Sequence, residues 1–317
     1  MFAPLIFSSH YHLVPAEASM SLRNTYLAIL FASFPLTQLF GAPILGDIAD
    51  QIGRKKALYI SITGVIVGFL LSGISTLIWS FWLLVFSRLF TGFFAGNLSI
   101  CLSAIADLSH TEKKRSKNFG IVTVVWALTW NIAMFAGGYL SDPTKSSWFS
   151  PSLPFWLTAL LTLLSVAAIA RYFQETHEPD KNASVDLIKG LHNIKAALKI
   201  PAIRPYFIVI IFWTLGWGLA VQWFGTYAIL KYKVTQETIT WGLFIQGITW
   251  TIGGSLVNPL LLKKLDALPI AIIGYLLCTL FLIATALSQS YFSFCIFLWI
   301  SAIFAPFAFS NLPLAIR

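Results

Sequence analysis

Apolar runs of about 20 residues recur along this 317-residue chain, each long enough to cross roughly 30 Å of hydrocarbon as a helix. In lipid, only helices and closed barrels satisfy their own backbone groups. A membrane barrel needs segments of about 10 residues that alternate apolar and polar, whereas these runs are apolar all round. The fold class expected is therefore an all-α, multi-pass membrane protein. Composition agrees, because only 10% of residues are charged while 57% are hydrophobic, against about 25% charged in a soluble domain. That deficit excludes an ordinary cytosolic enzyme, a disordered chain and a secreted disulfide scaffold.

Hydrophobicity along the chain places spans near 24–46, 57–78, 80–105, 119–140 and 153–173. After a polar stretch come 204–230, 238–262, 268–288 and 291–316, and residues 1–14 read as the end of one more span. The connections fall into two alternating sets. One holds Arg54, Lys55 and Lys56; Lys113, Lys114, Arg115 and Lys117; Arg171, Lys181, Lys189, Lys195, Lys199 and Arg204; and Lys263 and Lys264. The other holds only Arg23, Lys145, Lys231 and Lys233. The positive-inside rule assigns the first set to the cytoplasm. This asymmetry accounts for the net charge of +9 without a nucleic-acid partner. The partners expected are the lipid bilayer and a small organic substrate, and the oligomeric state is left open.

The long connection is expected on the cytoplasmic side. Leu187, Ile188, Leu191, Ile194 and Leu198 recur there at helical spacing, with Ser184 as N-cap and Lys189, Lys195 and Lys199 on the polar side. This predicts a helix lying in the headgroup region, either as a tether between two halves or as a regulatory site. Cys101, Cys278 and Cys295 lie in apolar runs and read as small apolar side chains. No secretory signal is expected, since the first 22 residues hold no Lys or Arg. His10-x-His12 is an incomplete metal pair. No metal, cofactor or enzymatic reaction is expected, since no nucleophile elbow, phosphate loop or zinc-helix motif appears.

One connection carries a specific pattern: Gly46-Asp47-Ile48-Ala49-Asp50-Gln51-Ile52-Gly53-Arg54-Lys55-Lys56. Gly46 permits close approach of a neighbouring helix. Asp50 ends a helix where it faces either a neighbouring helix N-terminus or the next basic residue. Gly53 allows a tight turn with positive φ, and the basic residues pin that turn to the cytoplasmic face. The segment resembles the G-x-x-x-D-x-x-G-R-K/R signature of the major facilitator superfamily. Arg88-Leu-Phe-Thr-Gly92 is similar to that family's R-x-x-x-G element on its fourth helix. Asp107 stands where an acid of the family joins the loop Asp and Arg in a charge cluster. Gly137-Gly138 resembles the tail of the antiporter motif, with Ala133 and Met134 in place of its Gly-Pro, and Glu175-Thr176 resembles the family's P-E-T ending.

The resemblance is nearest to tetracycline- and multidrug-type proton antiporters. It implies a helical bundle of two halves, with about nine complete spans here plus a partial first one, and the last two of twelve absent. The domain boundaries expected are 1–176 for the N-terminal half, 177–203 for the linker with its amphipathic helix, and 204–317 for a partial C-terminal half. The repeat of the motif in the second half, residues 258–266, keeps two lysines without the Asp/Gly/Arg pattern.

Gly46, Asp50, Gly53, Arg54, Lys55 and Asp107 are thus expected to form a cytoplasmic latch. Arg88 is the one charge well inside a span, and burying it alone costs at least about 2.5 kcal/mol on insertion scales. Two readings stand side by side: a coupling or substrate-binding cation, and a guanidinium bonded to carbonyls of a neighbouring helix. Asn97, Trp126, Trp130, Asn131, Trp213, Trp217, Gln222 and Gln246 are the candidates for lining a substrate cavity suited to a planar, amphipathic molecule. The competing reading makes the tryptophans interfacial anchors and the amides bridges between helices. Trp79, Trp82, Trp148 and Trp156 are expected to be anchors. Proton coupling needs a buried carboxylate. None of the 12 acids lies mid-span, so no proton carrier is assigned. The function expected is secondary transport of a small organic molecule by alternating access, as drug or metabolite efflux, in a plasma (inner) membrane. The alternative is a truncated, transport-incompetent remnant.

Overall fold

The computed structural model describes residues 2–8, 11–109, 111–180 and 185–311. Ser184, Lys181 and His10, which carried expectations above, lie outside them. Among the described residues there are helices and connections but no strands. Seven helices are long and apolar enough to span a membrane: Met20–Ile52, Arg54–Leu77, Phe81–Asp107, Leu153–Tyr172, Arg204–Tyr232, Ala267–Leu287 and Tyr291–Asn311. The expected span at 119–140 falls within a helix at Glu112–Leu140, and that at 238–262 falls on Gln236–Ile252 followed by a π-turn and a short helix. The protein is thus an all-α, multi-pass integral membrane protein.

The chain divides into two compact units, residues 1–122 with 140–194 and residues 123–139 with 195–317. The first holds α1 (Phe2–Phe7), α2 (Met20–Ile52), α3 (Arg54–Leu77), α4 (Phe81–Phe94), α5 (Asn97–Asp107), the start of α6 (Glu112–Leu140), α7 (Leu153–Tyr172) and the start of α8 (Lys189–Lys199). Among its described residues, the expected tail of a first span is helical over Phe2–Phe7. Ser19 starts α2 by accepting from the Leu22 N–H at 3.3 Å, and Ser80 starts α4 through Leu83 N–H at 3.4 Å. α3 and α4 pack through small residues. Ser72 and Ser87, both fully buried, share a hydrogen bond of 2.8 Å. Small side chains let two backbones approach where lipid provides no hydrophobic drive between helices.

The third span breaks at Ala95-Gly96, between α4 and α5. A broken helix in lipid must satisfy its freed carbonyls. Gln38 Nε2 donates to Ala95 O at 3.1 Å and Ser61 Oγ to Phe94 O at 2.6 Å. The side chains of α2 and α3 therefore stabilise the break. The core of this unit is Leu45, Ala49, Ala57, Leu58, Ile62 and Ile100, with Val166, Ile169 and Phe173 of α7 and its end packed against it. That core lies directly beneath the Gly53 turn. Leu160, Leu161, Leu163 and Leu164 of α7 are all exposed, as expected of a face turned to lipid.

The second unit holds the rest of α6, α9 (Arg204–Tyr232), α10 (Gln236–Ile252), the π-turn Gly253–Val257, α11 (Asn258–Leu261), α12 (Ala267–Leu287) and α13 (Tyr291–Asn311). Its core is Phe224, Ala228, Ile239, Phe294, Cys295 and Leu298. Asn311 Nδ2 donates to Asn258 Oδ1 at 2.7 Å, joining α13 to α11 in a buried site. The three cysteines are free, and Cys278 and Cys295 are buried among apolar neighbours.

Candidate functional site

Gly53 alone separates α2 from α3, with φ +94° and ψ 153°. Only glycine occupies that backbone region without strain. A Cβ there would also lie 2.5 Å from Glu175 Oε2. The turn delivers Arg54 to the first position of α3, where four unsatisfied N–H groups begin the helix. Glu175 satisfies two of them. Its Oε1 accepts from Arg54 N–H at 2.8 Å and its Oε2 from Lys55 N–H at 3.0 Å. Oε1 also accepts from Thr176 N–H at 3.0 Å and His177 N–H at 3.2 Å. Partial burial pushes the Glu175 carboxyl up, but these four backbone donors outweigh it and hold it below its ordinary value.

The Arg54 guanidinium is nearly buried and meets two acids. Nη1 lies 2.7 Å from Asp50 Oδ1 and Nε lies 3.5 Å from Asp107 Oδ2. Thr176 Oγ1 reaches the same Asp107 oxygen at 3.5 Å. Asp50, Gly53, Arg54 and Asp107 are therefore brought together, and Asp50 faces the following basic residue rather than a helix N-terminus. Lys55 points along α7, donating to Ala170 O at 3.4 Å. Gly46 does not meet its expectation. A Cβ built there has no heavy atom within 4 Å among the described residues, so no helix approaches it closely.

Asp47 was not singled out by the pattern, yet it is 4% exposed and engaged by the linker. Lys189 Nζ pairs with its Oδ1, and the Asp186 N–H donates to its Oδ2 at 3.1 Å. Asp186 in turn accepts from His192 Nδ1 at 2.7 Å. That bond and the Ile188 N–H hold the Asp186 carboxyl below its ordinary value. The start of α8 thus docks on α2, with Gly190 facing the Leu39 carbonyl, 2.6 Å from where its Cβ would sit. A helix expected to rest in the headgroups is held at its N-terminal turn by protein.

Two arginines of this unit lie away from the Gly53 turn and contrast sharply. Arg23 donates to four carbonyls: Ile6 O at 2.5 Å, Pro15 O at 3.1 Å, Ala16 O at 3.0 Å and Ala18 O at 3.2 Å. Arg88 makes no hydrogen bond or ion pair to any described residue, and its Nε is buried without a partner. Its guanidinium lies over the Phe34 ring at 4.7 Å and the Phe2 ring at 5.6 Å. Cation–π contacts contribute about 0.5–2 kcal/mol each but fill none of the five N–H donors. The carbonyl-bonded arrangement, one of the two readings given for Arg88, is seen at Arg23.

The cavity candidates divide. In the second unit, Trp213 and Trp217 are parallel within 3° at 6.4 Å, and both meet Trp250, at 6.2 and 5.1 Å. Tyr275 and Phe309 complete the cluster around Trp213. Trp213 Nε1 and Tyr275 Oη are buried without an acceptor. Asn131 is buried and donates to Thr251 Oγ1 at 3.2 Å, which bridges helices. Gln246 is buried, whereas Gln222 is exposed. Trp126 and Trp130 are about half exposed and belong to no aromatic cluster among the described residues. In the first unit Asn97 opens α5 at the break and is partly exposed. Of the expected anchors, Trp82 and Trp148 are well exposed, while Trp156 packs over Gly73. Trp250, Phe2 and Phe34 went unnoticed in the sequence. Only the aromatic residue type could have flagged them, and aromatics are abundant in this chain.

A sequence model of one family, described as Major Facilitator Superfamily, matches residues 1–316. The chain is 29% identical over 154 residues to the class H tetracycline resistance protein of Pasteurella multocida, covering 49% of this chain and 36% of that one. It is 25% identical over 266 residues to multidrug resistance protein 2 of Bacillus subtilis (strain 168), covering 78% and 61%. It therefore spans less than two thirds of the length of these curated relatives. Its fold matches a crystal structure of the nucleoside transporter NupG (D323A mutant) with a TM-score of 0.65 at 13% identity, covering 99% of this chain and 75% of that one. These names are those of transport and resistance proteins, not of enzymes. With the Gly53–Arg54 corner in place and the family match running the length of the chain, this protein belongs to the major facilitator superfamily.

Proposed function

We propose that this protein carries a small organic molecule across a membrane by alternating access, as an efflux carrier of a drug or metabolite. The observation that carries the reading is the corner at Arg54. One buried guanidinium bridges α2 and α5, and one carboxylate caps α3 from beyond α7. Four elements are thereby tied into a single body at one end of the first unit. Rocking of rigid bundles about a central site is the physical requirement of alternating access in such folds. Asp50, Arg54 and Asp107 act as the latch on the cytoplasmic side, holding this end of the first bundle together as it moves.

The substrate surface of the second unit is the cluster of Trp213, Trp217, Trp250 and Tyr275. Flat aromatic walls with two unfilled donors suit a planar molecule that carries hydrogen-bond acceptors. The relatives' names, tetracycline and multidrug resistance proteins, support the same substrate size and class. Flux into inverted vesicles tests the reading: wild type accumulates substrate, and Asp50→Asn falls well below it. Equal flux in the two removes the latch, and no flux in wild type with any planar substrate removes the carrier.

A further inference from the structure

Part of the linker retraces one stripe of α2. Leu39, Pro43 and Asp47 stand four residues apart and Asp50 three further on, so they share a face of that helix. The Asp180 N–H donates to Asp50 O at 3.0 Å, the Asp186 N–H reaches Asp47, and Gly190 meets Leu39 and Pro43. From Asp50 to Leu39 the linker therefore follows α2 inward for about 16 Å of helix axis. Its hold there is polar. The partners of Asp47 among the described residues, Lys189 Nζ and the Asp186 N–H, both come from the linker. Asp186 keeps that turn in shape by accepting from the Ile188 N–H at 3.0 Å and from His192 Nδ1 at 2.7 Å. Apolar burial adds little: Leu187, Ile188 and Leu191 are exposed, and Gly190 is the buried residue of α8.

We propose that residues 186–190 are an autoinhibitory strap: docked, they seal the Leu39–Asp47 stripe of α2, and transport speeds up when they leave it. This rests on the reading of the protein as a carrier of small organic molecules, and it adds a restraint built into the chain. A segment with few buried apolar contacts opens at low cost. A carboxylate stripped of its donors cannot stay dry. Asp47 is 4% exposed with the strap in place, so release admits water to this face of α2. Lys189 is thus a tethered ligand of Asp47, and its covalent link supplies the effective concentration that keeps it docked. Gly190 makes the close path possible, because a Cβ there would lie 2.6 Å from Leu39 O, a backbone atom with no freedom to swing aside.

The test compares the full chain with Gly190→Ala and Lys189→Ala, by hydrogen exchange in phosphatidylcholine nanodiscs and by flux into inverted vesicles. Gly190→Ala separates a strap from a plain helix. Alanine favours a helix over glycine, so a helix with no docked role becomes better protected over residues 186–194. A docked strap instead loses its fit against Leu39 O, and exchange there becomes about tenfold faster. Lys189→Ala acts through the other contact and speeds the same exchange about fivefold. In both variants Asp47 opens to carbodiimide labelling, and flux of ethidium or 2-naphthol rises about threefold. Unchanged exchange over α3 and α7 shows that the variants are folded. Better protection in Gly190→Ala overturns the proposal. So does faster exchange with flux at or below that of wild type, which removes the restraint and leaves the carrier. No flux of either probe in any of the three chains removes the carrier, and the restraint with it.

Discussion

Arg54 and Arg88 stand on α3 and α4, which pack against each other in one unit, and they are solved in opposite ways. Arg54 has a carboxylate on either side and a capped backbone N–H. Arg88 has phenyl rings and open donors. A charge whose partners are built in stabilises the fold. A charge left without them costs stability. The difference separates a corner whose charges are balanced from a position where they are not.

The largest effect is expected from Arg54→Ala. Removing it leaves Asp50 and Asp107 facing each other, and the loss is about 3 kcal/mol after allowing for their partial exposure. Chemical denaturation in micelles reads it, and a loss indistinguishable from zero would erase the contrast with Arg88. Gly53→Ala comes next, at about 2 kcal/mol, because the alanine must hold a glycine-only backbone conformation. The same substitution presses on Glu175, so a rise in protease sensitivity near residues 174–180 accompanies the loss. Glu175→Gln follows at about 1 kcal/mol, the scale of a lost helix cap on an exposed side chain. The sign of its pH dependence is fixed. The folded carboxyl titrates below its ordinary value of 4.5. Its stabilisation is therefore complete above that pH and is lost as pH falls through the folded value. The gap between wild type and Glu175→Gln closes in acid; a gap that widens there contradicts the capping role. Last is Lys189→Ala, at about 1 kcal/mol: solvent screens the partly exposed lysine, but its loss leaves the buried Asp47 carboxylate with the Asp186 N–H. Its clearer readout is faster hydrogen exchange over residues 186–194, the segment that leaves α2.

What the sequence revealed depended on how local the partners were. The helices were legible because a run of apolar residues must bury its backbone polar groups within itself, whatever surrounds it. Asp50, Gly53 and Arg54 were legible because they lie within five residues of one another and one turn brings them together. Asp107 was placed near them only by resemblance, and Glu175 was not placed there at all, since contacts across 53 and 121 residues leave no periodicity to read. Asp47 was missed for the same reason. Its partners, Asp186 and Lys189, sit in a linker that looked bound for the membrane surface. Trp213 and Trp217 lie four residues apart and so share one helix face, but Trp250 and Tyr275 join them from other helices. At Arg88 the residue type announced a problem, and only its surroundings showed that the chain leaves it unsolved.

One measurement addresses that unsolved charge most directly: the unfolding stability of Arg88→Met in the full chain without ligand, beside wild type and Arg54→Ala. Met keeps most of the apolar stem, removes the unpaired cation and leaves Phe2 and Phe34 their packing. The variant is expected to match wild type or exceed it by about 1 kcal/mol, as when buried uncompensated charge is replaced by apolar volume. A loss as large as that of Arg54→Ala would mean that Arg88 is already paired within the protein, and the contrast between the two arginines would be gone.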